Sequence, residues 1–157
     1  MKRIKLTQGK YALVDDADFE WLNSFKWYAY TNGFSWYAQG RKKIYNCKYK
    51  TIKMHRVIMN YKGKKQIDHI DDNSLNNQRN NLRLATSSQN GMNRGKQKNN
   101  TSGYKGVSRH IKAEKWQASI KLHKKLIYLG IFKSKKEAKI AYEKAAEKLH
   151  GEFRKIT

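Results

Sequence analysis

The chain has 157 residues, 38% of them hydrophobic, with no Pro and a single Cys, Cys47, so one or two small domains are expected and a disulfide framework or Cys-rich zinc site is excluded. No apolar run approaches the roughly 18 residues of a membrane span, and the N-terminal MKRIKLTQGKYALVDD has no apolar core of a secretory signal. With 35 Lys and Arg against 12 Asp and Glu, a formal net charge of +23, the chain repels itself and calls for a polyanion, which makes nucleic acid the expected partner; a membrane surface is disfavoured because the basic residues occur in both halves and not along one helix face.

The first predicted strand is Lys10–Val14, closed by Asp15-Asp16. Phe19, Trp21, Leu22 and Phe25 then form a short helix-like or irregular apolar cluster. Trp27–Tyr30 and Ser35–Ala38 flank Thr31-Asn32-Gly33-Phe34, where Asn32-Gly33 suits the tight turn of a hairpin. Ile44-Tyr45 and Thr51–Met54 suggest further strand, and His55–Asn60 a short helix. The aromatics are expected in the core rather than as base-stacking platforms, because a small domain has few other large side chains to bury.

Ile67 and Ile70 flank Asp68-His69, so that pair lies at the edge of an apolar element, a strand. The polar stretch Asp71–Asn80 leads to Asn81-Leu82-Arg83-Leu84, whose alternation predicts a return strand. Thr86 and Gln89 form a capping box, so a helix starts at Ser87 with Asn90 in its first turn and Asn93 on the same face. This strand–loop–strand–helix unit is expected to bring Asp68 against Asn90.

Residues 95–103 contain no apolar side chain and read as a linker. The predicted domains are 1–95 and 102–157, joined by the basic polar residues 96–101. In the second, Tyr104–Arg109 is a candidate strand. Trp116, Ala118, Ile120 and Leu122 alternate with Lys115, Gln117, Ser119 and Lys121, the pattern of a half-buried strand. Leu126–Ile131 follows the His123-Lys124 turn and completes a three-stranded antiparallel sheet. Ser134 and Glu137 form a second capping box, and Ala138, Ala141, Tyr142, Ala145 and Leu149 recur at helical spacing before Gly151. One helix would cover one sheet face and leave Arg109, Lys121 and polar neighbours on the other. The fold class is α+β.

Cutting a phosphodiester requires a base to deprotonate water and a positive charge against the phosphate and the leaving oxygen. An unperturbed His titrates at about 6.5, so His69 is the natural base. Asp68 and Asn90 are hard oxygen donors suited to Mg²⁺. With Asp68-His69, Asn81 in Asn-Leu-Arg, Asn90 in Ser-Gln-Asn-x-x-Asn, and upstream Met54-His55-Arg56 and Lys10–Asp15, residues 5–94 or so resemble the HNH nuclease family, in the phage and intron subgroup whose last His is replaced by Asn. The resemblance implies a ββα-metal fold with His69 as general base, Asp68 and Asn90 as metal ligands, and Asn81 supporting the fold and the orientation of His69. Asn in the last position binds Mg²⁺ acceptably and zinc poorly, so Mg²⁺ is expected, with Mn²⁺ as the substitute.

Arg56 and Arg83 are expected DNA contacts. His55 is either a fold-stabilising hydrogen-bond partner or a second catalytic or phosphate-contacting group. Asn93 either keeps the helix surface soluble or supports the site. Asn73, Asn76, Asn77, Asn99 and Asn100 read as loop polarity.

Ser102–Arg109, Lys115–Ile120, Tyr128–Phe132 and the Glu137-Ala138…Ala141-Tyr142…Ala145-Ala146 spacing resemble the AP2 DNA-binding domain. That resemblance implies a sheet in the major groove with Lys105, Arg109, Trp116, Lys121 and Tyr128 as contacts, Trp116 being equally placed for the core. Lys105 and Tyr128 stand where members usually have Arg and Trp, and Ser119 where they have an acid, so their base preference does not carry over. The expected function is a site-specific, metal-dependent endonuclease (EC class 3.1) acting on double-stranded DNA and leaving 5′-phosphate and 3′-OH ends. It would be a monomeric homing enzyme of a mobile element, without an obligate protein partner, in the cytoplasm of a bacterium or phage-infected cell. The alternative is a non-cleaving DNA-binding or regulatory protein with a degenerate nuclease domain; a structural or RNA-binding protein is the third class.

Overall fold

Strand β1 (Lys2–Lys5) pairs antiparallel with β2 (Tyr11–Val14) at the start of the chain. A computed structural model describes residues 1–45, 48–97 and 99–155; Cys47, and Lys98 of the expected linker, lie outside the described residues. β1 has one apolar side chain among three cations, so no alternation announces it, yet Ile4 is buried alongside Ala12 and Val14. Helix α1 (Asp16–Asn23) follows and buries Leu22, whose carbonyl accepts a 2.7 Å hydrogen bond from Trp27 Nε1.

Three strands, β3 (Trp27–Thr31), β4 (Trp36–Tyr45) and β5 (Lys48–Lys53), form an antiparallel sheet in sequence order. The β3–β4 turn is the predicted one. Asn32 Oδ1 accepts from the amides of Phe34 at 3.0 Å and Ser35 at 2.9 Å, and Gly33 takes φ +86°, which only Gly adopts readily. Trp27, Ala29 and Ala38 turn one sheet face into the core, where Gly40 lets the Trp27 ring lie against the backbone. Met54, expected to end a strand, instead opens helix α2 (Met54–Ile58) and is buried with Ile58. β6 (Gln66–His69) and β7 (Leu82–Ala85) then pair antiparallel, with Ile67 opposite Leu84, Asp68 opposite Arg83 and His69 opposite Leu82.

The chain divides into two compact units, Met1–Ala85 and Thr86–Thr157, and helix α3 (Ser87–Asn93) opens the second. The α3 capping box is complete: Gln89 N donates to Thr86 Oγ1 at 3.2 Å, and Thr86 N to Gln89 Oε1 at 2.9 Å. The end of the expected linker is folded rather than free of the core. Ser102 is buried, and its hydroxyl bridges Asn100, Tyr104 and Val107.

β8 (Val107–His110), β9 (Lys115–Leu122) and β10 (Lys125–Phe132) form the second three-stranded antiparallel sheet, and α4 (Lys135–His150) packs on it. The strand expected from Tyr104 begins only at Val107 because Gly106 sits at φ +71° against the Tyr142 ring. His123 and Lys124, both at positive φ, make the β9–β10 turn. Ala138, Tyr142 and Ala146 of α4 bury Val107, Ala118 and Ile120. Half of the second capping box forms: Ser134 Oγ accepts from Glu137 N at 3.2 Å, but the Glu137 carboxylate accepts from Lys133 N.

The register corrects one assignment of faces. Arg109 stands opposite Trp116, two residues along from the Val107–Ala118 pair, and so lies on the helix-covered side, with its guanidinium 5.8 Å from the Trp116 ring centre. Lys121, Ser119 and Gln117 line the open side with Leu126 and Tyr128. Across the described residues the architecture is mixed α and β with four small antiparallel sheets, and no described helix is long and apolar enough to cross a membrane.

Candidate active site

The β6–β7 hairpin fixes Asp68. Cross-strand pairing sets Arg83 directly opposite, where Nε at 2.9 Å and Nη2 at 2.8 Å both reach Asp68 Oδ2. The side chains are only 5% (Asp68) and 12% (Arg83) exposed, so this is a buried ion pair. Arg83, expected to face DNA, is turned onto Asp68.

Asn81 closes the loop between the two strands. Its Nδ2 donates to Asp71 Oδ1 and to Asn76 O, both at 2.9 Å, while its Oδ1 accepts from Asp71 N at 3.0 Å. Burial works against the Asp71 carboxylate, yet hydrogen bonds from Asn76, the Asn73 backbone and Asn81 hold it below the usual range. The loop is also stitched to the first hairpin: Leu13 N donates to Leu75 O, and Asn77 N to Leu13 O. Asp15 accepts from Gln78 Nε2 and Arg79 N, and Arg79 grips Asp18 with two 2.7 Å bonds. Those Arg79 bonds outweigh burial and keep Asp18 below its ordinary pKa. The Lys10–Asp15 segment thereby carries the loop that follows His69.

The His69 ring is buried, edge-on to His55 with ring centres 5.2 Å apart, and His55 in turn packs edge-on against Tyr37 at 6.0 Å. Burial lowers the His69 pKa from its ordinary 6.5; Asn77 beside it and Asp71, Asp68 and Asp72 around it oppose that shift. Asn77 is fully buried, which corrects its reading as loop polarity: its amide donates to Leu75 O at 3.0 Å, and it favours the protonated form of His69 against burial. No alternation or spacing marks it out among the neighbouring Asn residues.

His55 is the more strongly perturbed imidazole, pushed down to about 3 by burial and then by His69, Lys53 and Arg56. An unfolded His takes up its proton near 6.5, so His55 contributes stability that is complete above that pH and is lost as pH falls toward 3. The expected loss at pH 5 is about 2 kcal/mol. Urea unfolding at pH 7 and pH 5 should show it, and His55→Phe should flatten the dependence by that amount; an equal pH dependence in both proteins would contradict the assignment.

The remaining residues separate by unit. Asp68, His69, Asn81, Arg83 and Arg56 belong to the first, where Arg56 is exposed on α2. Asn90 belongs to the second, half-buried in the first turn of α3 with its amide bonded to Thr86 O at 2.9 Å. Asn93 is buried, which removes its surface-solubility reading. Lys105 donates its ammonium to Met92 O near the end of α3. Lys121 and Tyr128 are exposed on the open sheet face.

A buried Asp-His pair at the end of a hairpin strand, an Asn-clamped loop and, next in the chain, a capped helix are the elements of a nuclease of the HNH class. The HNH endonuclease family matches residues 53–92, from the start of α2 into α3. The chain is 31% identical over 147 residues to an uncharacterized HNH endonuclease of Acanthamoeba polyphaga mimivirus, spanning 93% of this chain and 74% of the relative. This chain belongs to the HNH endonuclease family. Over 54 residues it is also 46% identical to Protein 3.8 of Escherichia phage T7, covering 34% of this chain and 45% of that protein. No solved structure matches the chain.

Proposed function

We propose that the protein is a site-specific, metal-dependent endonuclease of double-stranded DNA, a homing enzyme in which a ββα-metal nuclease domain (1–95) cuts and an AP2-like domain (102–157) targets. The observation that carries the reading is the Asp68-His69 pair on a hairpin clamped by Asn81, inside the segment that matches the HNH family. In the reaction, His69 takes a proton from water as the water oxygen bonds to phosphorus. The bond from phosphorus to the 3′ oxygen breaks, and that oxygen is protonated by solvent, leaving 5′-phosphate and 3′-OH ends. His69 is suited to this because burial favours its neutral, proton-accepting form. It is also covered, so cleavage entails exposing the imidazole to the DNA strand.

Asp68 and Asn90 would hold the metal. One carboxylate and one amide oxygen are hard donors that fit Mg²⁺ or Mn²⁺, which take few protein ligands where phosphate and water complete the shell. Among the described residues no group of three or more His, Cys, Asp or Glu side chains is arranged to hold a metal ion by itself. When bound, the cation supplies charge stabilisation at the phosphate and the leaving oxygen. Arg83 already holds Asp68 Oδ2, so a cation at Asp68 would share that carboxylate with a guanidinium.

That ion pair is also the observation favouring the second reading, a non-cleaving DNA-binding protein. Incubation of supercoiled plasmid with the full chain separates the two: Mg²⁺-dependent nicking abolished by EDTA supports the nuclease, and retained binding without nicking supports the alternative.

A further inference from the structure

The distal half of the β4–β5 hairpin behaves unlike the rest of its sheet. Ala38, Gln39 and Gly40 of β4 are buried, whereas residues 41–45 are exposed at every position, and so are their partners 48–51 on β5. A strand covered on one face alternates between buried and exposed; here the alternation is lost because neither face is covered. The pairing nevertheless continues, with Arg41 opposite Thr51, Lys42 opposite Lys50 and Lys43 opposite Tyr49, to a register shift just before Tyr45. The result is an exposed two-stranded ribbon whose base, at Arg41 and Tyr49, borders an open cleft with Ser24, Phe25, Lys26 and Tyr28.

Its chemistry is one-sided. Arg41, Lys42, Lys43, Lys48 and Lys50 are cations, and no Asp or Glu occurs anywhere between Glu20 and Asp68. Lys42 and Lys50 face each other directly across the strands, an arrangement that weakens a hairpin left in water. Tyr45 is 70% exposed, Tyr49 59% and Ile44 63%, an apolar surface a solvent-facing loop does not need. Lysines alone would be accounted for as protection of an edge strand against aggregation. Opposed lysines alternating with exposed aromatics are not, because the aromatics undo that protection.

We propose that this ribbon is a duplex-DNA-binding arm of the nuclease unit, entering the major groove with its lysines on the flanking phosphates and Tyr45 and Tyr49 against sugar and base edges. A two-stranded ribbon fits a groove about 12 Å wide, and five residues of strand reach about 17 Å along it. A phosphate between Lys42 and Lys50 turns their repulsion into shared attraction. The arm rests on the reading of the protein as acting on DNA, and it adds a contact surface within the first unit to the sheet proposed for the second.

The test measures binding, so that it is independent of cleavage. Full-length protein is titrated in EDTA against a fluorescent 30-base-pair duplex of random sequence over a range of salt concentrations, with Lys42, Lys43, Lys48 and Lys50 all changed to Thr. The expected result is at least about a tenfold loss of affinity at low salt and a fall of roughly 3 to 4 in the slope of log affinity against log salt, about 0.9 per phosphate contact released. Changing Lys135, Lys136, Lys144 and Lys148 of α4 to Gln removes the same charge elsewhere and is expected to lower the slope much less. The pair Tyr45→Ser and Tyr49→Ser is expected to weaken binding with the slope unchanged. Slopes equally reduced in the ribbon and α4 variants, or wild-type affinity in a folded ribbon variant, would overturn the arm. Plasmid nicking by the wild-type protein is scored separately: a protein that never nicks yet loses binding in the ribbon variant sinks the nuclease reading and keeps the arm.

Discussion

Replacing His69 with Ala is expected to lower plasmid nicking by about two to four orders of magnitude while DNA affinity stays within about twofold. The separation follows from where the imidazole acts. It takes a proton as the water attacks, so its loss is felt in the transition state, whereas binding energy comes from cations spread over the surface. His69 is buried against His55 and makes no part of an exposed basic surface, so no phosphate contact goes with it. Initial nicking rates and anisotropy titrations on the same preparations measure the two quantities. Equal loss of binding and nicking would show His69 holding the fold or the DNA instead of the proton. Thermal melting of the variant guards against the first of these, because truncation also leaves a cavity beneath His55.

Much of this site is readable in the sequence wherever the signal is local. The Thr86–Gln89 box sets the start of α3 through bonds within four residues, and the Asn32-Gly33 turn and the alternation of β9 are equally short-range. Asp68-His69 and Asn81 fall on or beside a hairpin whose register follows from Ile67 facing Leu84. The failures share a different cause. β1 was silent because one apolar residue makes no period, and it forms only because β2 lies beside it. Asn77 looked like loop polarity because its burial depends on Leu13, more than sixty residues earlier. Arg109 faces the helix-covered side because its pairing with Trp116 across the strands sets its face, which no local pattern announces. The aromatic runs divide: Trp27 goes into the core as expected, while Tyr30, near the end of β3, stays exposed.

Arg83 offers the sharpest contrast between what a basic residue suggests and what its surroundings make of it. Arg83→Ala is expected to destabilise the protein by about 3–5 kcal/mol, the range for removing one partner of a buried ion pair. The guanidinium puts both Nε and Nη2 on one oxygen of a carboxylate that is 5% exposed, so the truncation abandons a charge where water has little access. A surface Arg serving only as a phosphate contact would behave oppositely, with stability changed by less than about 0.5 kcal/mol and DNA affinity reduced. Asp68→Leu combined with Arg83→Met tests the cause. Replacing both charges by apolar groups removes the abandoned carboxylate, so the double variant should recover most of the stability lost in Arg83→Ala. Nicking should not return with it, because Asp68 is the carboxylate proposed to hold the cation. Urea unfolding of the three proteins at neutral pH measures the first effect, and plasmid nicking the second. If Arg83→Ala melts like the wild type, the ion pair does not hold the hairpin and Arg83 reverts to a DNA contact. If the double variant is as unstable as the single one, the loss comes from packing of the Arg83 stem and not from the charge left on Asp68.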